Sequence, residues 1–416
     1  MVQKRTKTNT PTPVKKSFIF RYTAATAGLY AALLTPVIVG LSLKLISIDA
    51  QNATTNLALV AGVGAFLAVI ANPLFGRLSD RTTSRLGMRR PWLLGGSVTG
   101  VLGLLVIALS NTVPGILIGW CIAQVAFNAT LAALTAVIAD QVPSKQRGTV
   151  SGFVGIAQGV GILAGVAIAQ IFTGQLFWIF FAPGLVGLLA VFIFAFTLRD
   201  RRLPKGHQPP YDFKAFIMSF WTNPFTHPDF GWAWISRFSI LLALSFLTTY
   251  QTFYLIRHLG ISEKDVTTYV FLGTITTIGI LIVGSIVGGL LSDKFHRRKR
   301  FVWLSALLCG VGLYLLATGD SIGMYLLAAG TMGLAQGAYM AVDLALVTEV
   351  LPSKKDTAKD LGVINIANAL PQSVAPAIAP FFLAIGGPDN FTSLFLAAGI
   401  FAALAAVAIF PIRGVR

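Results

Sequence analysis

Charged residues are scarce in this sequence. Aspartate, glutamate, lysine and arginine make up 11% of its 416 residues, whereas about 25% is usual for a soluble domain. Acidic residues are the rarest, with 15 against 32 basic residues and a formal net charge of +17. Hydrophobic residues make up 55% of the chain, and the mean hydropathy is +0.76. This composition excludes an ordinary soluble domain and indicates a chain that folds within a lipid bilayer.

Residues that commonly build catalytic and metal centres are also few. Both cysteines, Cys121 and Cys309, lie in apolar runs, so we expect no disulfide framework. The four histidines lie in predicted loops or at the ends of apolar runs. The sequence contains no metal-ligand spacing, nucleophile elbow or phosphate-binding loop. We therefore expect no enzymatic activity, no cofactor and no bound metal.

Long apolar runs occur twelve times along the chain. A membrane-spanning helix needs about 20 predominantly apolar residues. We predict such helices at 18–44, 54–76, 91–110, 113–139, 148–172, 176–198, 231–257, 266–291, 301–318, 322–348, 359–385 and 390–411. The first 17 residues are polar and basic, and the apolar run after them is too long for a signal peptide. The expected fold class is therefore an all-α membrane protein with twelve helices.

The basic residues lie mostly on one side of the predicted helices. If the N-terminus is cytoplasmic, 28 of the 32 lysines and arginines fall in cytoplasmic segments. Only Lys44, Arg257 and Lys264 then fall on the external side. Because basic loops are retained in the cytoplasm, we predict that both termini are cytoplasmic, in a bacterial cytoplasmic membrane. The basic surplus indicates membrane orientation, and we expect no nucleic-acid partner.

The chain repeats itself after about 210 residues. The stretch Gly76–Arg81 (GRLSDR) matches Gly289–Lys294 (GLLSDK), and Val142–Lys145 (VPSK) matches Leu351–Lys354 (LPSK). Duplicated halves of this kind are an architecture of secondary transporters, whose substrate binds between the halves near the bilayer midplane. The predicted domains are a cytoplasmic tail at 1–17, a six-helix half at 18–198, a cytoplasmic linker at 199–229, a second six-helix half at 230–412 and a tail at 413–416.

The loop after the second predicted helix carries a family resemblance. Its glycine-x-leucine-serine-aspartate-basic pattern, repeated after the eighth helix, resembles the signature loop of the major facilitator superfamily. The longer stretch Ser79–Trp92 (SDRTTSRLGMRRPW) resembles the corresponding loop of plant sucrose/proton symporters and related sugar carriers. Leu86 stands where those carriers have an aromatic residue, and Met88 where they have a basic one. The resemblance implies a twelve-helix major facilitator fold of the glycoside-transporting branch.

The charges of this loop suggest a gate. An aspartate at a helix end with arginines close by can join neighbouring helix ends in one state and release them in another. The alternative is that these charges only set the orientation in the membrane. The candidate gating residues are Gly76, Asp80, Arg81, Arg85, Arg89, Arg90, Gly289 and Asp293.

Polar side chains within the predicted helices suggest a substrate site. The resemblance implies that helices 3, 6, 9 and 12 face lipid and the other eight line a cavity, and all the amides of the predicted helices lie in those eight. Amides can hydrogen-bond hydroxyls in both directions, and aromatic rings cover the apolar face of a sugar. The alternative is that the amides only join helices. The candidate substrate-binding residues are Gln124, Asn128, Gln158, Tyr250, Gln251, Tyr254, Gln336, Asn365, Asn368 and Gln372.

Two charges lie inside predicted helices. Arg237 in the seventh helix and Asp343 in the tenth lie at similar depth, and an unpaired charge there would be costly. We predict that they pair, either for structure alone or with Asp343 as the proton-coupling group. In sucrose symporters the proton-binding carboxylate lies on the fourth helix, at a place that Gln124 occupies here. Coupling has then moved to Asp343, or the protein is a uniporter, an exchanger, or coupled to something other than protons.

Small residues at four-residue spacing suggest close helix packing. They are Gly155 with Gly159 and Gly161 with Gly165 on the fifth predicted helix, and Gly284 with Gly288 on the eighth. The family resemblance implies that these two helices meet across the halves. We expect the glycines to form a sliding seam there.

The expected function is proton-coupled carriage of a sugar or glycoside by alternating access, by a monomer in the bilayer. The expected partners are a small-molecule substrate, a coupling proton and lipid. One alternative is a multidrug or metabolite exporter, but the glycine-proline motif that proton/drug antiporters carry on the fifth helix is absent from Gly155–Gly161. A sensor without transport activity or a lipid flippase are further alternatives.

Overall fold

The computed structural model describes residues 13–204, 206, 223–295, 297–350 and 357–413. Within these residues the chain forms twelve long helices and one isolated bridge, Ser84 to Gly87. The helices are α1 Lys16–Ile48, α2 Ala53–Asp80, α3 Arg90–Leu109, α4 Val113–Gln141, α5 Ser144–Ile171, α6 Leu176–Thr197, α7 Pro228–His258, α8 Val266–Phe295, α9 Arg298–Thr318, α10 Ile322–Glu349, α11 Thr357–Leu383 and α12 Phe391–Ala408. The predicted all-α fold class is confirmed.

Hydropathy and helix length explain why these segments are helical. Eleven helices within the described residues are long and apolar enough to cross a membrane. In hydrocarbon a helix satisfies its own backbone hydrogen bonds, which an irregular segment cannot do. The tenth helix, α10, has 28 residues but is not among the eleven. It carries Gln336 and Asp343 within its length.

The helices form two bundles of six. We call the end of the molecule where α1 begins and α12 ends the termini face, and the other end the opposite face. Helices α3 and α6 pack within the first bundle, and α9 and α12 within the second. The two bundles meet through α2 with α11, α5 with α8, and α1 with α7. This is the arrangement expected of two related six-helix halves.

The glycine-rich stretches pack within each half. An added Cβ on Gly161 or Gly165 of α5 would strike the backbone or Thr35 of α1. A Cβ on Gly284 would lie 2.6 Å from the Leu334 carbonyl oxygen of α10, and one on Gly288 would lie 2.7 Å from Ala338 of the same helix. Of the six glycines, Gly159 faces the other half, with Ile278 of α8 3.6 Å from an added Cβ, and nothing lies within 4 Å of a Cβ on Gly155. The expectation of a seam between the halves was therefore wrong for the other four. They serve the close packing that holds each half together.

Gly284→Ala is expected to destabilise the protein, because the new methyl group would push α8 away from the α10 backbone. Overpacking of this kind costs about 1–3 kcal/mol. Thermal unfolding of the purified protein in detergent measures the loss. Gly399→Ala is the matched control, since nothing lies within 4 Å of a Cβ there and alanine favours a helix. Equal melting temperatures for the two variants would contradict the packing role of Gly284.

Candidate functional site

A cluster of four polar side chains lies inside the second half. The predicted ion pair is present: the Arg237 guanidinium of α7 donates from Nη1 to Oδ2 of Asp343 on α10. Arg237 Nε also donates to Oδ1 of Asn368 on α11 at 2.6 Å. The Tyr339 hydroxyl, one turn before Asp343, donates to the other carboxylate oxygen at 2.6 Å. We call these four residues the charge cluster.

The charge cluster lies well inside the bundle. At a rise of 1.5 Å per residue, its members are about 9–16 Å along their helices from the termini face. The Arg237 side chain is 16% exposed and the Asp343 side chain 7%. A carboxylate at this depth is stable only because its charge and both oxygens have partners. Tyr339 was missed by sequence reasoning, although its i, i+4 spacing to Asp343 is a usable signal.

A cluster of neutral amides lies inside the first half. Asn128 donates from Nδ2 to the Gln124 side-chain oxygen at 3.1 Å and to the Gln124 carbonyl oxygen at 2.9 Å, both on α4. Asn72 of α2 lies 3.5 Å from the Asn128 oxygen. Gln124 and Asn128 are buried, so this amide cluster consists of uncharged groups that can both donate and accept.

Gln251 and the two tyrosines near it pack inside the second half. Gln251 accepts from the Tyr325 hydroxyl at 3.3 Å. Tyr250 donates to the Pro376 carbonyl oxygen, and Tyr254 to the Gly319 carbonyl oxygen at 2.9 Å. Both rings are fully buried. In this conformation they are satisfied by backbone partners, so a substrate contact requires the surrounding helices to move.

The remaining predicted substrate residues are dispersed. Gln158 on α5 and Gln336 on α10 are half-buried, and Gln372 on α11 is exposed. Gln336 follows Gln124 by 212 residues, close to the repeat of 213 between Gly76 and Gly289, so the two occupy equivalent places in the halves. The side chain of Asn365 lies outside the described residues. The structure thus gathers Asn72, Gln124 and Asn128 in the first half, whereas in the second half Asn368 joins the charge cluster and Gln251 bonds Tyr325.

Arg89 is the centre of the signature loop at the termini face. Its guanidinium, almost completely buried, bonds Asp80 at 2.5 Å and Ser79 at the end of α2. It also bonds Asp140 near the end of α4 at 2.8 Å. One arginine therefore joins the ends of two helices to the start of α3. All of these partners belong to the first half.

Asp200 completes the signature loop and was missed by sequence reasoning, which placed it in the linker. Its Oδ2 accepts from the backbone N–H groups of Arg89 and Arg90 at 2.7 Å, at the start of α3. Gly87 has a φ of +113°, and a Cβ there would collide with the Asp200 carboxylate. A glycine permits both the left-handed backbone and the close approach. The sequence feature that could have identified Asp200 is its position as a single acidic residue among the arginines after α6.

The other candidate gating residues lie on α2, on α8 and in the signature loop. Gly76 faces Ala132 of α4, and a Cβ there would be 4.0 Å from the alanine methyl. Gly289 faces Ala341 of α10 in the same way at 3.7 Å. The half-buried Arg90 donates to the Leu198 carbonyl oxygen, Arg81 is half-buried, and Arg85 is exposed. The Asp293 side chain lies outside the described residues.

Polar contacts join the two halves at the opposite face. Asp389, between α11 and α12, accepts from the Arg257 guanidinium and from Thr54 of α2 at 3.2 Å. Arg257 also donates to the Ala50 carbonyl oxygen of the first half. We call these four residues the clasp. Asp389 has a φ of 55°, an uncommon conformation for a non-glycine residue.

Two further hydrogen bonds cross between the halves near the clasp. Thr173, after α5, and Thr267 of α8 share a bond of 2.6 Å. Thr252 of α7 donates to the Ile38 carbonyl oxygen of α1 at 2.6 Å. Ile38 belongs to a π-helical turn, Pro36–Gly40, and such a turn frees backbone carbonyls from the helix ladder. Within the described residues, the hydrogen bonds between the halves all lie toward the opposite face, so the molecule is closed there.

Comparison with known proteins identifies the family. The model of the family described as "Major Facilitator Superfamily" matches residues 22–287 and 265–415, nearly the whole chain. The chain belongs to the major facilitator superfamily. It therefore has the multi-pass membrane fold of that superfamily.

Two curated relatives of this superfamily member differ in their named roles. A stretch of 118 residues is 31% identical to the class H tetracycline resistance protein of Pasteurella multocida and covers 28% of each chain. A stretch of 292 residues is 25% identical to the lactose permease of Lactobacillus delbrueckii subsp. bulgaricus. It covers 64% of this chain and 45% of the permease. The chain thus spans less than half the length of either relative that it matches.

A solved structure supports the fold of this superfamily member. The bacterial homologue of the human lysosomal transporter Spinster, in an inward-facing and unoccupied conformation, superposes with a TM-score of 0.72 at 16% identity. The superposition covers 96% of this chain and 98% of that one. This similarity between the two structures concerns the fold alone.

Asp200→Ala is expected to lower the melting temperature, because it removes the acceptor for two backbone N–H groups at the start of α3. Loss of such a cap costs about 0.5–2 kcal/mol. Asp200→Asn keeps an acceptor oxygen and should retain most of the stability. Thermal unfolding in detergent gives the comparison. Equal losses for both substitutions would show that the carboxylate charge matters more than the cap.

Asp389→Asn is expected to shift this transporter toward a state that opens at the opposite face. The ion pair itself lies within the second half, but it positions Arg257 to bond Ala50 and Asp389 to bond Thr54 of the first half. Loss of one such hydrogen bond costs about 1 kcal/mol, which corresponds to roughly a fivefold change in the ratio of states. Pulsed electron resonance between spin labels at Asn111→Cys and Lys264→Cys, in a variant without Cys121 and Cys309, measures the separation of the halves. A longer distance should gain population.

The control for this shift is Asp320→Asn. Asp320 is 88% exposed and lies 3.3 Å from His258 of its own half, so its neutralisation should leave the distance unchanged. The clasp would be no gate if Asp389→Asn and Asp320→Asn gave the same distance distribution.

Proposed function

We propose that this protein is a secondary active transporter that carries a sugar or glycoside across the cytoplasmic membrane, coupled to protons. It works as a monomer by alternating access. Both termini are cytoplasmic in this proposal, so the opposite face is external and the clasp is the external gate. The conformation closed by the clasp is then inward-facing, and the signature loop around Arg89 acts at the internal gate.

The observation that carries the proposal is the charge cluster. Asp343 is a carboxylate inside a spanning helix, and its charge is balanced by one arginine from another helix. An ionisable residue within the membrane is costly and commonly belongs to a transport pathway or a proton relay. Protonation of Asp343 would remove its attraction to Arg237 and alter the contact between α7, α10 and α11. A change of charge would thereby be linked to helix movement.

The amide cluster favours a hydroxylated solute. Asn72, Gln124 and Asn128 supply donors and acceptors without a charge, which suits the hydroxyl groups of a sugar. The similarity to a lactose permease points in the same direction. Gln124 cannot titrate, so Asp343 is the proposed coupling site and Arg237 its counter-ion.

An exporter of drugs or metabolites is the second candidate. The observation in its favour is the local similarity to a tetracycline resistance protein. Against it, α5 has no proline within Ser144–Ile171, whereas proton/drug antiporters of this fold carry a glycine-proline motif there. Transport assays with both classes of solute decide between the two candidates.

The test is uptake of radiolabelled mono- and disaccharides into liposomes containing the purified protein, with pH 6 outside and pH 8 inside. One proton per substrate would support roughly 100-fold accumulation across two pH units. Asp343→Asn should lose accumulation but still exchange labelled for unlabelled substrate, because exchange needs no net proton movement. Wild-type uptake that does not depend on the pH gradient would contradict proton coupling.

Two controls complete the uptake experiment. Asp343→Asn leaves Arg237 without its charged partner, so Arg237→Gln with Asp343→Asn serves as the charge-balanced companion variant. Gradient-dependent movement of tetracycline, with no saccharide moved, would favour the exporter.

A further inference from the structure

The Arg237 guanidinium binds two acceptors of different character. Asn368 is neutral and accepts from Nε at 2.6 Å, whereas Asp343 is charged and accepts from Nη1. Arg237 is more exposed than Asp343, 16% against 7%. The arginine is therefore the more accessible member of the pair.

The surroundings of Asp343 leave Arg237 dependent on it for charge balance. The charged or titratable groups in contact with Asp343 are Arg237 from α7 and Tyr339 from α10 itself, and α11 adds the neutral Asn368 next to Arg237. Helices α8 and α9 also pack against α10, but within their described residues no charged or titratable side chain bonds to this cluster. If Asp343 takes up a proton, the partners that Arg237 keeps among the described residues are neutral.

A guanidinium that loses its counter-ion at this depth is strongly destabilised. A negatively charged group on the substrate would restore the balance. Arginine presents a planar fork of N–H donors that matches a carboxylate. Protonation of Asp343 and binding of an anion at Arg237 would then each favour the other.

We propose that the substrate is a sugar acid with a single carboxylate, which replaces Asp343 as the partner of Arg237 when Asp343 is protonated. The inference rests on the proposed function and names its substrate class. One positive charge matches one negative charge. A phosphorylated sugar would bring close to two negative charges to a single arginine and leave the surplus buried. The amide cluster of the other half is uncharged and suits the hydroxyl groups of the same molecule.

The charge balance of transport follows from this exchange. One proton and one monoanion cross together, so no net charge moves. The membrane potential then does no work on the cycle, because its contribution is proportional to the charge moved. A neutral sugar carried with one proton would move one charge and respond to the potential as well as to the pH gradient.

The first experiment compares glucuronate with glucose, and galacturonate with galactose, as labelled substrates in liposomes. The pH gradient and a potassium/valinomycin potential are imposed separately. We expect uptake of the uronates, driven by the pH gradient and unaffected by the potential. Uptake of the neutral sugars alone, driven by both gradients, would overturn the inference and leave the proposed function intact. If neither class moves but the disaccharides of the previous test do, the inference fails and the proposed function stands. If no saccharide moves in either test, both fail.

The second experiment measures binding of glucuronate at pH 6 and pH 8 by the shift of the melting temperature. Wild-type protein should bind glucuronate more weakly at pH 8, because ionised Asp343 is then paired with Arg237. Asp343→Asn should bind equally at both values and roughly tenfold or more tightly than wild type at pH 8. Arg237→Gln with Asp343→Asn should bind no glucuronate, and Asp320→Asn should behave as wild type. Glucuronate affinity that is independent of pH in the wild type would contradict the exchange, as would preferred uptake of glucose 6-phosphate.

Discussion

The cost of removing charge and hydrogen-bonding groups from water governs this structure. In hydrocarbon the backbone must bond to itself, so the chain forms long helices with few side-chain caps. Ionised side chains inside the spans need partners for the same reason. Arg237 and Asp343 supply each other with a counter-ion, and Lys44 donates to the Ala108 carbonyl oxygen near the end of α3 at 3.0 Å. The charge cluster is thus both a condition of stability and the chemical centre of the proposed function.

The same cost of desolvation is met in two ways: helices pack closely within each half, and a few polar bonds join the two halves. Within each half, glycines such as Gly284 have no side chain, so the backbones of neighbouring helices pack closely together. Between the halves, the described hydrogen bonds are few and lie near the opposite face. Rigid halves with a sparse, polar junction can rock against each other, because only a small number of bonds must break.

The two ends of the molecule are held in different ways. At the termini face, Arg89 joins helix ends of one half through Ser79, Asp80 and Asp140. At the opposite face, Arg257 and Asp389 of the second half bond Ala50 and Thr54 of the first half. An interaction within a half preserves its shape during movement, whereas an interaction between halves holds one state of the movement. The clasp is therefore the better candidate for setting which face is open.

Apolar run length and residue spacing along the chain were enough to establish the twelve helices, the duplicated halves and the Arg237–Asp343 pair. These depend on local hydrophobicity and on depth within a helix, which can be counted from sequence. The roles of Asp200 and Asp389 depended on the tertiary structure, because their partners lie 111 and 335 residues away in loops whose approach is set by packing. Helical periodicity likewise placed Tyr250 and Tyr254 on one face, but only the packed neighbours decided that this face is buried, since periodicity does not specify what lies opposite.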